Sequence, residues 1–168
     1  MIADSLKDRE ALQTIGTIVA ETILEMKAAT RPGMTTKELD EIGGRILHEK
    51  KAISAPKSMY RFPGYTCISV NQEAAHGIPG ERVLKPSDVI NIDVSAEKDG
   101  YFADAGLSFQ LPPHDRKVNR LLQHTHATMM KVIENLHAGV KLNQIGKIIQ
   151  QEAARGGYKV VQNLCSHG

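Results

Sequence analysis

An α+β fold, a two-layer arrangement of helices and sheet, is predicted by three features of the sequence. A pair of amphipathic helices precedes a β-hairpin, a second helix pair has the same layout, and one offset aligns the two pairs. Leu12, Ile15, Val19, Ile23 and Met26 recur every three or four residues and mark a first helix over residues 6–28. Arg31-Pro32-Gly33 breaks it. Thr35, three residues before Glu38, is a capping-box pattern and starts a second helix that runs to about Lys51, with Leu39, Ile42 and Ile46 inward. Residues 55–64 read as a breaker-rich loop, 66–70 as a short strand, and 71–80 as a polar loop containing His76-Gly77-Ile78-Pro79. In residues 89–95, Ile90, Ile92 and Val94 alternate with Asn91, Asp93 and Ser95, and residues 101–109 alternate in the same way. With a turn at Glu97-Lys98-Asp99-Gly100 these two segments form the hairpin. Helices are expected over residues 116–136 and 143–155, Gly156-Gly157 caps the latter, and residues 158–164 are a last strand candidate.

An offset of 106 residues places Leu12 on Val118, Ile15 on Leu121, Ile23 on Met129, Met26 on Val132, Gly33 on Gly139, Leu39 on Ile145 and Ile42 on Ile148. Two sliding amphipathic helices can always be aligned, but a shared offset that also matches the glycine favours a duplication. The copies span about residues 6–110 and 112–168 of a single domain. The second copy contains only its helices and one strand candidate, so the sequence reads as cut off inside its second half.

Composition narrows the function classes. The 168 residues carry 21 Lys plus Arg against 19 Asp plus Glu, a net charge of +2 that gives no reason to expect nucleic acid or membrane surfaces as partners. Aromatic residues are 4% and Trp is absent, too few for a base-stacking platform. No apolar run approaches the roughly 18 residues of a membrane-spanning helix. The first eight residues lack a signal-peptide core, so Cys67 and Cys165 are expected to be cytoplasmic thiols, buried and unreactive rather than a disulfide. No segment matches a glycine-rich phosphate loop.

The sharpest chemical signal is in the hairpin. Asp93 and Asp104 share its polar face. A four-residue loop over 97–100 sets them opposite each other, with Cβ atoms roughly 4.5–5.5 Å apart; a register shifted by two makes them diagonal neighbours. Two such close carboxylates repel unless a proton or cation lies between them. They suit a pair of divalent ions roughly 3.5–4 Å apart, as in two-metal hydrolases. By spacing alone, a solvated hairpin carrying two unrelated acids is the competing account. His76 by itself reads as a loop histidine, and His167, beside Cys165, as a candidate ligand with imidazole chemistry suited to transition metals.

Four segments, taken together, resemble type I methionine aminopeptidases. These are Pro32-Gly33-Met34-Thr35-Thr36-Lys37-Glu38-Leu39-Asp40, the run Cys67-Ile68-Ser69-Val70-Asn71-Gln72-Glu73-Ala74-Ala75-His76-Gly77-Ile78-Pro79, Asp93 with Asp104 eleven residues on, and Cys165-Ser166-His167-Gly168. The resemblance implies a pita-bread fold with a pseudo-twofold repeat around two divalent metal ions, Co, Mn, Fe or Zn. It implies that Asp93 chelates one ion, Asp104 bridges both and His167 binds the other. It assigns His76 to a substrate hydrogen bond near the scissile amide, as the catalytic histidine. Cys67, Phe62 and Met59 are assigned to the pocket for the substrate methionine. Met59 replaces the aromatic residue usual there, and Ala105-Gly106 replaces the hydroxyl residues that often follow the second Asp. The implied reaction is removal of the initiator methionine from nascent chains, in the cytoplasm and near the ribosome, without direct nucleic-acid or membrane contact. The family's second metal histidine and two glutamates fall beyond Gly168, so the 168-residue chain by itself is expected to be inactive or nearly so. Two other readings remain at this point: a proline-directed peptidase of the same fold, and a metal-free binding module.

Overall fold

The structure is a computed structural model that describes residues 3–164. It divides into two compact units, Met1–His114 and Asp115–Gly168.

The first unit begins with α1 (Leu6–Ala29) and α2 (Thr36–Glu49). Each starts in a capping box. Ser5 Oγ accepts from Asp8 N–H while Asp8 accepts from Ser5 N–H, and Thr35 and Glu38 repeat the exchange. These reciprocal bonds satisfy amides that the helix itself leaves unpaired. Four strands follow: β1 (Ile53–Ser54), β2 (Cys67–Val70), β3 (Val89–Lys98) and β4 (Tyr101–Gln110). All pairings are antiparallel. β3 is central, with β4 on one side and β1 and β2 on the other.

Alternation along β3 decides what the sheet does. Ile90, Ile92, Val94 and Ala96 are fully buried with Ile15, Val19, Met26, Leu39 and Leu47 of the helices, while the intervening residues face the other way. The helices thus cover one face and leave the polar face for chemistry. Polar ties fix the layers: Tyr101 OH donates to Asp8 at 2.6 Å, and Lys98 Nζ donates to the carbonyls of Lys50 and Lys51 at the end of α2.

The second unit is α4 (Arg116–Glu134) and α5 (Asn143–Gly156). Asp115 caps α4 by accepting from Lys117 and Val118 N–H. Glu152 accepts from Lys131 and Arg155, and its carbonyl pairs with His124 Nε2 at 2.8 Å. Gly139, before α5, and Gly33, before α2, have φ of 88° and 90°. No helix among the described residues is long and apolar enough to cross a membrane.

Three expectations need correction. Residues 55–64 are not all loop, because α3 spans Ala55–Tyr60. Ser54 Oγ accepts from Lys57 N–H and Pro56 sits in the first turn, where its missing N–H costs nothing. Residues 158–164 form no strand; Tyr158 turns back, its N–H bonding Ala153 O and its ring meeting His124 at 5.2 Å. The hairpin turn is Asp99-Gly100 alone, with φ of 54° and 86°, rather than residues 97–100. An Asp-Gly pair with both φ positive matches the strand twist, and it shifts the register by two residues.

Candidate metal centre

With that register, Asp93 opposes Gly106 and Asp104 opposes Ser95. The two aspartates are therefore diagonal neighbours on the polar face rather than direct partners, still within reach of a shared ligand. On the other side of β3, Cys67 pairs with Asp93 and Ser69 with Asn91. The row across the sheet reads Cys67, Asp93, Gly106. The next reads Ser69, Asn91, Ser108, where Asn91 Nδ2 donates to Ser108 Oγ at 2.9 Å.

Cys67 reports the electrostatics of this face. Its thiol is pushed up to about 11, first by burial and then by the negative charges of Asp93, Asp104 and Asp40. Burial opposes charge of either sign, so it is the part of the shift due to Asp93, Asp104 and Asp40 that favours a cation here. Cys67 is a buried free thiol, as expected for an unreactive cysteine.

The His76 loop is pinned beside β2. Ile68 N–H donates to Gly77 O at 2.9 Å and Gly77 N–H to Ser69 Oγ at 3.0 Å. A Cβ on Gly77 would lie 2.2 Å from Ile68 O, so only glycine permits this approach. His76, with φ of 56°, is held next to the strand that carries Cys67. Met59 is 62% exposed on α3, and Phe62 is half-buried just past it, after Arg61 in a left-handed conformation. His167 lies outside the described residues.

The donor set fits a divalent cation. Two carboxylates on one face would offer hard oxygen ligands, and their charges contribute to raising the Cys67 thiol. Among the described residues no group of three His, Cys, Asp or Glu side chains is assembled for a metal.

Residues 10–168 match metallopeptidase family M24. The chain belongs to that family. Membership implies dependence on divalent metal. Within M24 the chain is 44% identical over its whole length to methionine aminopeptidase 2 of Bacillus subtilis, covering 68% of that protein. It is also 44% identical to methionine aminopeptidase of Staphylococcus epidermidis, covering 67%. Methionine aminopeptidase from Rickettsia prowazekii superposes with a TM-score of 0.92 at 33% identity, over 97% of this chain and 66% of that one. The Thermotoga maritima enzyme gives 0.95 at 25% identity, over 100% and 68%. The fold is thus the pita-bread fold of the M24 methionine aminopeptidases, and this chain spans about two thirds of its relatives' length. X-Pro aminopeptidase from Thermotoga maritima, at 19% identity and a TM-score of 0.77, shares the fold alone.

Sequence reasoning missed the buried carboxylate of Asp40, which accepts from Tyr65 N–H, Thr66 N–H and Thr66 Oγ1. The only available signal was its place in the Pro32–Asp40 segment, where helical periodicity selects Leu39 and Ile42 instead.

Proposed function

We propose that the protein removes the N-terminal methionine from nascent polypeptides as a dinuclear metal-dependent aminopeptidase. The observation that carries this reading is the diagonal pairing of Asp93 and Asp104 on one polar face, in a chain 44% identical to methionine aminopeptidases. Asp93 and Asp104 would hold the divalent ions, with His167 as a further ligand. When bound, such ions supply Lewis acidity at the peptide carbonyl and acidify water. Mn, Fe, Co and Zn all suit oxygen and imidazole donors.

The chain's own residues orient the substrate. His76, on its pinned loop, hydrogen-bonds near the scissile amide. Cys67, Phe62 and Met59 line the methionine side-chain pocket; a protonated Cys67 suits that role, since a neutral thiol packs as a small apolar group. The relation of α1, Gly33 and α2 to α4, Gly139 and α5, both glycines with φ near 90°, supports reading residues 6–110 and 112–168 as copies within one catalytic domain. A nascent-chain substrate places the enzyme in the cytoplasm, near the ribosome.

The test is a peptide assay, with Mn²⁺ or Co²⁺, on a protein that carries this chain together with the second metal histidine and two glutamates the resemblance places beyond Gly168. Release of free Met from Met-Gly-Met, with an X-Pro dipeptide left uncut, is expected. No Met release overturns the reading. Cleavage of the X-Pro dipeptide instead assigns the site to a proline-directed peptidase, and a metal content near zero favours a binding module.

A further inference from the structure

Thr36 and Asp40 are one turn apart on α2, and both are buried, at 2% and 5% exposure. Each reaches a different loop. Asp40 takes Tyr65 N–H at 3.0 Å, Thr66 N–H at 2.7 Å and Thr66 Oγ1 at 2.8 Å. Thr36 Oγ1 donates to Gly80 O at 3.0 Å and lies 2.9 Å from Gly80 N, and the backbone N–H groups of Thr36 and Lys37 donate to Arg82 O and Gly80 O. The first loop runs from Phe62 into Cys67. The second carries His76. They also meet each other: a Cβ on Gly64 would lie 2.8 Å from Pro79 Cγ and 3.2 Å from Asp40 Oδ2. A buried carboxylate is costly unless hydrogen-bonded, and here its partners are backbone and hydroxyl donors of one loop rather than a cation.

We propose that Asp40 and Thr36 are positioning residues that lock the 62–67 segment and the 76–80 loop to one helix face, fixing Cys67 and His76 relative to each other. The inference rests on the peptidase reading for its consequence, but its geometry stands independently. Loosening either anchor loosens both loops, because Gly64 and Pro79 are packed together.

Amide hydrogen exchange on Asp40→Asn and Thr36→Val tests it. Asn keeps the size of Asp but turns one acceptor into a donor facing an N–H. Val removes the hydroxyl. Each variant is expected to speed exchange about tenfold at Thr66, Gly77 and Gly80 together, while β3 amides keep their protection and Mn²⁺ affinity is unchanged. Thr36→Ser restores the wild-type pattern. In the peptide assay on the protein that carries the remaining ligands, kcat/KM for Met-Gly-Met falls about tenfold, with kcat lowered because His76 is less well held. The inference is overturned if each variant loosens only its own loop, or if exchange rises evenly through β3. If the wild type carrying the remaining ligands releases no Met while the coupled exchange is seen, the peptidase reading falls and the clamp remains.

Discussion

α1 and α2 on one hand and α4 and α5 on the other are near-copies in sequence pattern, yet their apolar faces end differently. Ile15, Val19, Ile23 and Met26 of α1 are buried over the sheet. Of their counterparts among the described residues, Val132 is buried, Leu121 and Met129 are 42% and 48% exposed, and Val19 falls on the polar Thr125; Ile133, next to Val132, is 52% exposed. Helical periodicity tells which side of a helix is apolar. It does not tell what covers that side; most helical stability comes from such cover.

The largest effect expected from this contrast is at Ile92, fully buried in β3. Ile92→Ala should destabilise the first unit by about 3 kcal/mol, whereas Ile133→Ala in α4 should cost under about 1 kcal/mol. Chemical denaturation followed by circular dichroism measures both, and equal losses would break the comparison.

Cys67 offers the next test, in a background with Cys165→Ser. A thiol at about 11 against the usual 9.0 should react with iodoacetamide at pH 8 about a hundredfold more slowly than an ordinary cysteine. The sign for stability follows: the folded state keeps this proton above the pH at which the unfolded state loses it, so stability falls as pH rises from 9 toward 11. A midpoint of alkylation near 9 would show that the site lacks the burial and negative field described.

Asp104→Asn should weaken Mn²⁺ binding at least about tenfold by calorimetry. Glu152→Gln in the second unit should leave it unchanged, because Glu152 is already paired with Lys131 and Arg155, which hold its carboxyl below the usual range. Equal losses would move the metal away from the hairpin.

The smallest effect is local. Gly100→Ala and Gly157→Ala place a Cβ at φ of 86° and 77°, and each should cost about 1 kcal/mol. Similar losses in the two units would show that backbone strain is indifferent to burial, and so sharpen the contrast seen at Ile92 and Ile133.

Much of the fold was legible in the sequence because the signals were local. Ser54 and Pro56 could have revealed α3, but breaker residues masked a six-residue helix. The hairpin was legible and its register was not, since Asp99-Gly100 and the longer 97–100 loop both preserve which face Asp93 and Asp104 occupy. Asp40 escaped because a polar residue on a helix gives no sign of which distant loop it holds.

Periodicity, capping boxes and residue spacing by themselves determined the four longer helices, the hairpin and the shared face of Asp93 and Asp104, and the residue types of four ordered motifs carry the resemblance. These depend on contacts a few residues apart, or on chemistry written in side-chain type. Only the tertiary structure decided that Cys67 lies beside Asp93, that Gly77 brings the His76 loop against β2, and that Asp40 anchors Tyr65 and Thr66. Those contacts join residues far apart in the chain. Their free energy comes from packing and desolvation between whole elements, which no local window of sequence contains.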